Sequence, residues 1–167
     1  MQAQKNGEGS ASTSEGKISV AAAVGVNLQN ATARADVPVN VTSAGALTLA
    51  ASNNTDAKVT ADGSALPQAD ADGKTEGSTT QVGIGAAVSV NKVTSVADAL
   101  VGGSAVVNSN GLSLHAGMTA VAGDTTPTIP TEAASGTGGS KVGFACSLAL
   151  PLIDTRRSAL VRTWPTF

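Results

Sequence analysis

The chain repeats itself. Lys17-Ile18-Ser19-Val20-Ala21-Ala22-Ala23-Val24-Gly25-Val26-Asn27 returns as Gln81-Val82-Gly83-Ile84-Gly85-Ala86-Ala87-Val88-Ser89-Val90-Asn91. It returns again as Lys141-Val142-Gly143-Phe144-Ala145-Cys146-Ser147-Leu148-Ala149-Leu150-Pro151. From Lys17 to Gln81 is 64 residues, and from Gln81 to Lys141 is 60. Self-similarity at a long, nearly fixed period marks a stacked array, in which a unit that cannot bury its apolar face alone buries it on the next. Two further blocks follow in the same order. Ala33–Val37 matches Ala97–Val101 and Arg157–Val161, and Leu47–Ala51 matches Leu112–Ala116 after one inserted residue. The chain therefore reads as two full repeats and the start of a third.

Within each block the period is two. Ile18, Val20, Ala22, Val24 and Val26 alternate with Ser19, Ala21, Ala23, Gly25 and Asn27, which marks a strand with one buried face. Ranked by hydrophobicity, the buried set is Ile18 to Val26, then Val82, Ile84, Ala86, Val88 and Val90, then Val142, Phe144, Cys146, Leu148 and Leu150. Ala33, Ala35 and Val37 predict a second strand with those side chains inward. Leu47, Leu49 and Ala51 predict a third strand, and Asp56–Ala61 a shorter fourth. A helix over Val20–Val26 is the competing reading, since Ala favours helices, but β-branched alternation and an internal Gly oppose it.

Composition supports thin, repetitive layers. Aromatic residues are 2% of the 167, there is no Tyr, and the apolar mass is Ala, Val and Leu. An ordinary core of this size would use more large rings, because each buries a large area. Charged residues are 13%, about half the usual quarter. With a net charge of −2, the regular Val-rich runs argue against disorder.

Gly- and Pro-containing stretches separate the strand blocks. The expected organisation is a polar spacer over 1–16, a first repeat with its spacer over 17–80, a second over 81–140, and a truncated third over 141–167. The last stretch is atypical, with Arg156, Arg157, Arg162, Trp164 and Phe167 concentrated there. Arg157 occupies the slot of Ala33 and Ala97. A poorly matched terminal repeat and a true cap or contact surface both fit that composition.

The segments Val82-Gly83-Ile84-Gly85-Ala86-Ala87-Val88-Ser89-Val90-Asn91, Ala97–Val101 and Gly111-Leu112-Ser113-Leu114 carry a resemblance. They are similar to the repeats of very large bacterial surface proteins, the filamentous-haemagglutinin-like and autotransporter-like adhesins, including leukotoxin-type filamentous adhesins. The likeness extends from Lys17 to Val161 outside the spacers. It implies an all-β fold, a right-handed parallel β-helix (β-solenoid) of about two and a half repeats of 60–65 residues, exported to the cell surface. Met1-Gln2-Ala3-Gln4-Lys5 lacks the apolar region of a signal peptide, so export is expected to rest on a parent protein. The apolar run Val20–Val26 is too short to span a bilayer, which takes about 20 residues.

Residues able to carry chemistry are few. His115 is the only histidine, placed outward if Leu112 and Leu114 point in. Ser113 lies on the same face, but Ser-x-His along one strand is not a catalytic geometry by itself. Ser14-Glu15-Gly16-Lys17 matches Ser-x-x-Lys without the companion motifs of serine hydrolases. Asp62, Asp70, Asp72 and Glu76 cluster in the first spacer. Asp70-Ala71-Asp72-Gly73 looks like part of a calcium loop, but Gln68 and Thr79 stand at its first and twelfth positions. Cys146, in the slot of Ala22 and Ala86, reads as a buried core filler. Asn30, Asn40 and Asn53 fit the glycosylation sequon and read as strand-end and turn residues. No cofactor and no metal site is implied.

The sequence thus favours a structural or adhesive segment of a bacterial cell-surface or secreted protein, without catalysis. Its expected partners are a host or environmental surface, or neighbouring repeats of a longer chain. Self-association is expected through exposed strand edges. Nucleic acid is not an expected partner, given a pI near 5.2. One alternative is a surface- or glycan-binding module; an ice-binding one is disfavoured, because only Thr126-Pro127-Thr128 offers the needed Thr-x-Thr. Another is a small hydrolase around Ser14, Lys17 or His115.

Overall fold

The computed structural model describes residues 2–10, 18–65, 82–120, 122–124 and 126–162. Among these residues ten strands follow in chain order: β1 Gln2–Ser10, β2 Ile18–Val37, β3 Val41–Thr42, β4 Leu47–Ser52, β5 Asn54–Asp62, β6 Val82–Val101, β7 Val107–Asn108, β8 Leu112–Gly117, β9 Thr131–Ala134 and β10 Val142–Val161. No helix occurs among the described residues. The protein is all-β and its strand pairings are parallel.

Each pairing joins a strand to its counterpart one repeat later. The sheets run β2–β6–β10, β3–β7, β4–β8 and β1–β5–β9. The widest is in register without interruption, from Ile18–Val82–Val142 to Val37–Val101–Val161. One repeat therefore contributes one layer to each sheet. The expected second strand at Ala33–Val37 is the continuation of the first, so that β2, β6 and β10 each have 20 residues. The expected third and fourth strands are β4 and β5. Two stretches read as spacer carry strands: β1 extends the sheet of β5 within 1–16, and β9 lies within the spacer that ends the second repeat.

The short strands form the layer that faces the long ones. Leu49 and Ala51 of β4 pack with Ala97, Ala99 and Val101 of β6, and Ala33, Ala35 and Val37 of β2 lean on the same cluster. Toward the start of the long strands, Ala23 and Ala87 meet Ala61 of β5 and Ala133 of β9. The two layers approach very closely here. A Cβ on Gly25 would lie 2.9 Å from the Thr60 carbonyl oxygen, and one on Gly85 would lie 2.6 Å from that of Gly136. Such a gap, tighter than the roughly 10 Å between ordinary stacked sheets, leaves the long strands room only for Gly, Ala, Ser and Asn on this side, with Ala57, Val59 and Ala61 of β5 opposite.

That spacing reverses the expected burial of the first half of β2 and β6, while β10, at the end of the sheet, is exposed on both faces. Ser19, Ala21, Ala23 and Asn27 are inside, with Ala21 2% and Asn27 0% exposed. Ile18, Val20, Val24 and Val26 are outside, with Val24 66% exposed. In β6 the inward residues are likewise Gly83, Gly85, Ala87, Ser89 and Asn91. The outward set there is Val82, Ile84, Ala86, Val88 and Val90. Cys146 is exposed, not a core filler. The expectation for Ala33, Ala35 and Val37 agrees with the structure, because inward residues are odd-numbered along the whole of β2.

A polar belt separates the two apolar clusters. Asn27 Nδ2 donates to Asn91 Oδ1 at 3.0 Å, and Asn91 Nδ2 donates to the carbonyls of Ala57 (3.0 Å) and Pro130 (3.2 Å). Asn53, between β4 and β5, donates to the Val96 carbonyl at 2.9 Å and accepts from Ser95 Oγ at 3.0 Å. Carboxamides suit this place because the Asn53 and Asn91 amide groups donate to carbonyls across the gap while their oxygens accept from neighbouring side chains; the Asn27 oxygen has no partner among the described residues.

Candidate interaction surface

The reversal leaves the outer face of the widest sheet as the dominant surface feature. Alternation puts one residue of each strand outward at every second position, and register aligns them into rows across β2, β6 and β10. The first five rows are Ile18–Val82–Val142, Val20–Ile84–Phe144, Ala22–Ala86–Cys146, Val24–Val88–Leu148 and Val26–Val90–Leu150. Every position in them is apolar. Ile18 and Phe144 are 63% and 62% exposed, and Leu148 is 54% exposed. The middle row has the smallest side chains, so it forms a shallow trough between two ridges.

The face changes character at its sixth row, Leu28–Lys92–Leu152, and beyond it is mostly polar, with Val96, Leu100 and Leu160 among the polar residues. Asn30, Thr94 and Asp154 share a row, and Arg34, Asp98 and Ser158 share another. Arg34 pairs with Asp36 at 2.9 Å, and Arg156 reaches the nearly buried Asp98 from the neighbouring strand. The apolar half therefore lies outside the thin Ala-Gly interior. The charged half lies outside the thicker interior that holds Leu49 and Val101.

The edge of β10 has its own chemistry. The Arg162 amide donates to the Val101 carbonyl at 3.1 Å, so even-numbered amides of β10 face β6 and odd-numbered ones face the free edge. Pro151 stands in the Asn27–Asn91 position with its nitrogen toward that edge. Arg157 stands beside Ala97 on the inward side and is exposed.

Among the described residues, those singled out for chemistry do not assemble. His115 is exposed opposite Ala50, with its ring over Gly117, and Ser113 stands opposite Thr48. Leu114 packs on the core, whereas Leu112 is largely exposed. Ser14, Lys17, Gln68, Asp70, Asp72, Gly73, Glu76, Thr79, Trp164 and Phe167 lie outside the described residues. Asp62 Oδ1 accepts from the Ser64 amide at 3.0 Å and its hydroxyl at 2.6 Å, closing a turn at the end of β5. Asp124 does the same for Thr126. Among the described residues no group of three or more His, Cys, Asp or Glu could hold a metal ion. Of the sequon asparagines, Asn53 is buried, Asn40 accepts from the Val106 amide at 2.8 Å, and Asn30 is exposed.

The outward Val, Ile and Leu residues are the functional candidates that ranking by hydrophobicity concealed, because it placed them in the core. The signal that could have exposed them is Asn27 and Asn91, polar residues at the same parity as the inward Ala33 and Ala97. No protein-family model, no curated protein and no solved structure matches the chain. Chemically, the surface offers a flat apolar plane with charge at one end, suited to excluding water against another apolar surface.

Proposed function

We propose that the chain is a right-handed parallel β-solenoid segment of a bacterial cell-surface or secreted protein, with a structural and adhesive role and no catalysis. The observation that carries this reading is the unbroken register of the three 20-residue strands, each one repeat from the next. A chain that spends a whole repeat on one layer grows by only about 4.8 Å per repeat, while each strand adds a strip roughly 66 Å long. That geometry builds area faster than length. It favours a surface-presenting plank over a slender spacer, and the plank's partners would be a host or environmental surface or the neighbouring repeats of a longer chain.

The test is a series of concatemers of residues 17–80, measured by small-angle scattering and by adsorption to cells and to abiotic surfaces. The solenoid reading expects one dimension to grow by about 4.8 Å per added repeat, with the other two constant. The adhesive reading expects adsorption that rises with repeat number. Growth in all dimensions, or adsorption independent of repeat number, would contradict the respective part.

A further inference from the structure

We propose that the apolar half of the β2–β6–β10 face is closed by the same face of a second copy, across a two-fold axis that sets the strands antiparallel. This does not depend on the bacterial-surface reading; it rests on the face alone. Exposed apolar patches on monomers seldom exceed a few hundred Å². Here three strands and ten residues give a plane of about 14 by 33 Å. Two such planes in contact remove on the order of 1,000 Å² from water, the size at which a specific interface begins.

The rows choose the arrangement. Two rows of large residues lie on each side of the small row Ala22–Ala86–Cys146. A two-fold axis along that row sets each apolar row against another apolar row, strand β10 against β10 of the second copy. The Lys92 row and the charged rows after it then lie beyond the partner's first row, in water. An axis along the strands would instead press Lys92 against its own copy at the centre of a dry interface, where like charges repel strongly. Charge at one end of the face thus selects the antiparallel pairing, and that pairing brings the two Cys146 side chains to the axis.

Sedimentation equilibrium of the full chain over a wide concentration range, with a short bis-maleimide as cross-linker, tests this directly. The expected result is a monomer–dimer equilibrium and a covalent dimer through Cys146. Leu148→Asp or Val24→Asp should give monomers with an unchanged far-UV spectrum, and Thr48→Asp, on the outer face of β4, should leave the dimer intact. If an Asp variant fails to fold, the β-favouring pair Val24→Thr and Leu148→Thr should still weaken the dimer at least about tenfold. A folded monomer at every concentration overturns the proposal, as does a dimer indifferent to these changes. A dimer without the Cys146 cross-link overturns the antiparallel arrangement. Flotation of a monomeric chain with phosphatidylcholine vesicles would assign the face to lipid instead.

Discussion

Asn27 and Asn91, one repeat apart, are joined by a 3.0 Å side-chain hydrogen bond at positions that are both 0% exposed. Asn91 also holds two backbone carbonyls of the facing layer. Truncating it strands the Asn27 donor and removes a donor from the carbonyls of Ala57 and Pro130, the latter of which still accepts from the Val59 amide. Asn91→Ala should destabilise the fold by about 3 kcal/mol, read as a lower urea midpoint with an unchanged slope. An unchanged midpoint would mean that the belt is not satisfied in this way.

The tight gap between layers predicts an asymmetry in what the long strands tolerate. A Cβ at Gly85 meets backbone oxygens of Gly136 and Gly63 at 2.6 and 2.8 Å, and backbone cannot swing aside. Gly85→Ala should destabilise by about 1–3 kcal/mol. In the Leu148→Asp background, which removes face-to-face pairing, the larger change Ala22→Val points outward and should shift stability by less than about 0.5 kcal/mol. Thermal melts of the two variants decide it, and equal losses would contradict the close approach.

How much of this was legible in the sequence differs from strand to strand. The blocks Leu47–Ala51 and Asp56–Ala61 became β4 and β5 because strong alternation and flanking turn residues are local signals. The inward face of Ile18–Val26 was misread because hydrophobic ranking assumes a thick core, whereas the gap here is set by glycines two layers deep. The conflict was already visible. Even residues of 18–26 and odd residues of 33–37 cannot both face inward on one unbroken strand. Strand β1 was hidden because Gln2–Ser10 has no apolar alternation; its pairing comes from the edge of β5, a tertiary fact. His115 was placed outward correctly, since Leu114 beside it packs on the core.

Pro151 offers no amide to the free edge of β10, and proline in that place is a common guard against edge-to-edge pairing. This qualifies the expectation of self-association through strand edges. Restoring the donor with Pro151→Val, in the Leu148→Asp background to remove face-to-face pairing, should produce larger, open-ended assemblies. Sedimentation velocity reads the outcome. A variant that stays monomeric would show that the proline is not what blocks the edge.

The proposal that the chain does no catalysis predicts tolerance at His115. Its ring is exposed over Gly117, and among the described residues it has no hydrogen bond to a nucleophile or carboxylate. His115→Ala should shift stability by less than about 0.5 kcal/mol and leave surface adsorption unchanged. Loss of adsorption in this variant would move the binding site to the outer face of β8.

Over their first halves, β2 and β6 turn their small residues in and their Val and Ile residues out. Thiol accessibility measures this directly. In a Cys146→Ser, Leu148→Asp background, single cysteines are placed at Ala23 and at Val24, and maleimide labelling is followed under native conditions. Fast labelling at 24, with labelling at 23 only after denaturation, is the expected result. Fast labelling at 23 with protection at 24 would restore the ordinary hydrophobic-in arrangement and remove the apolar face with it.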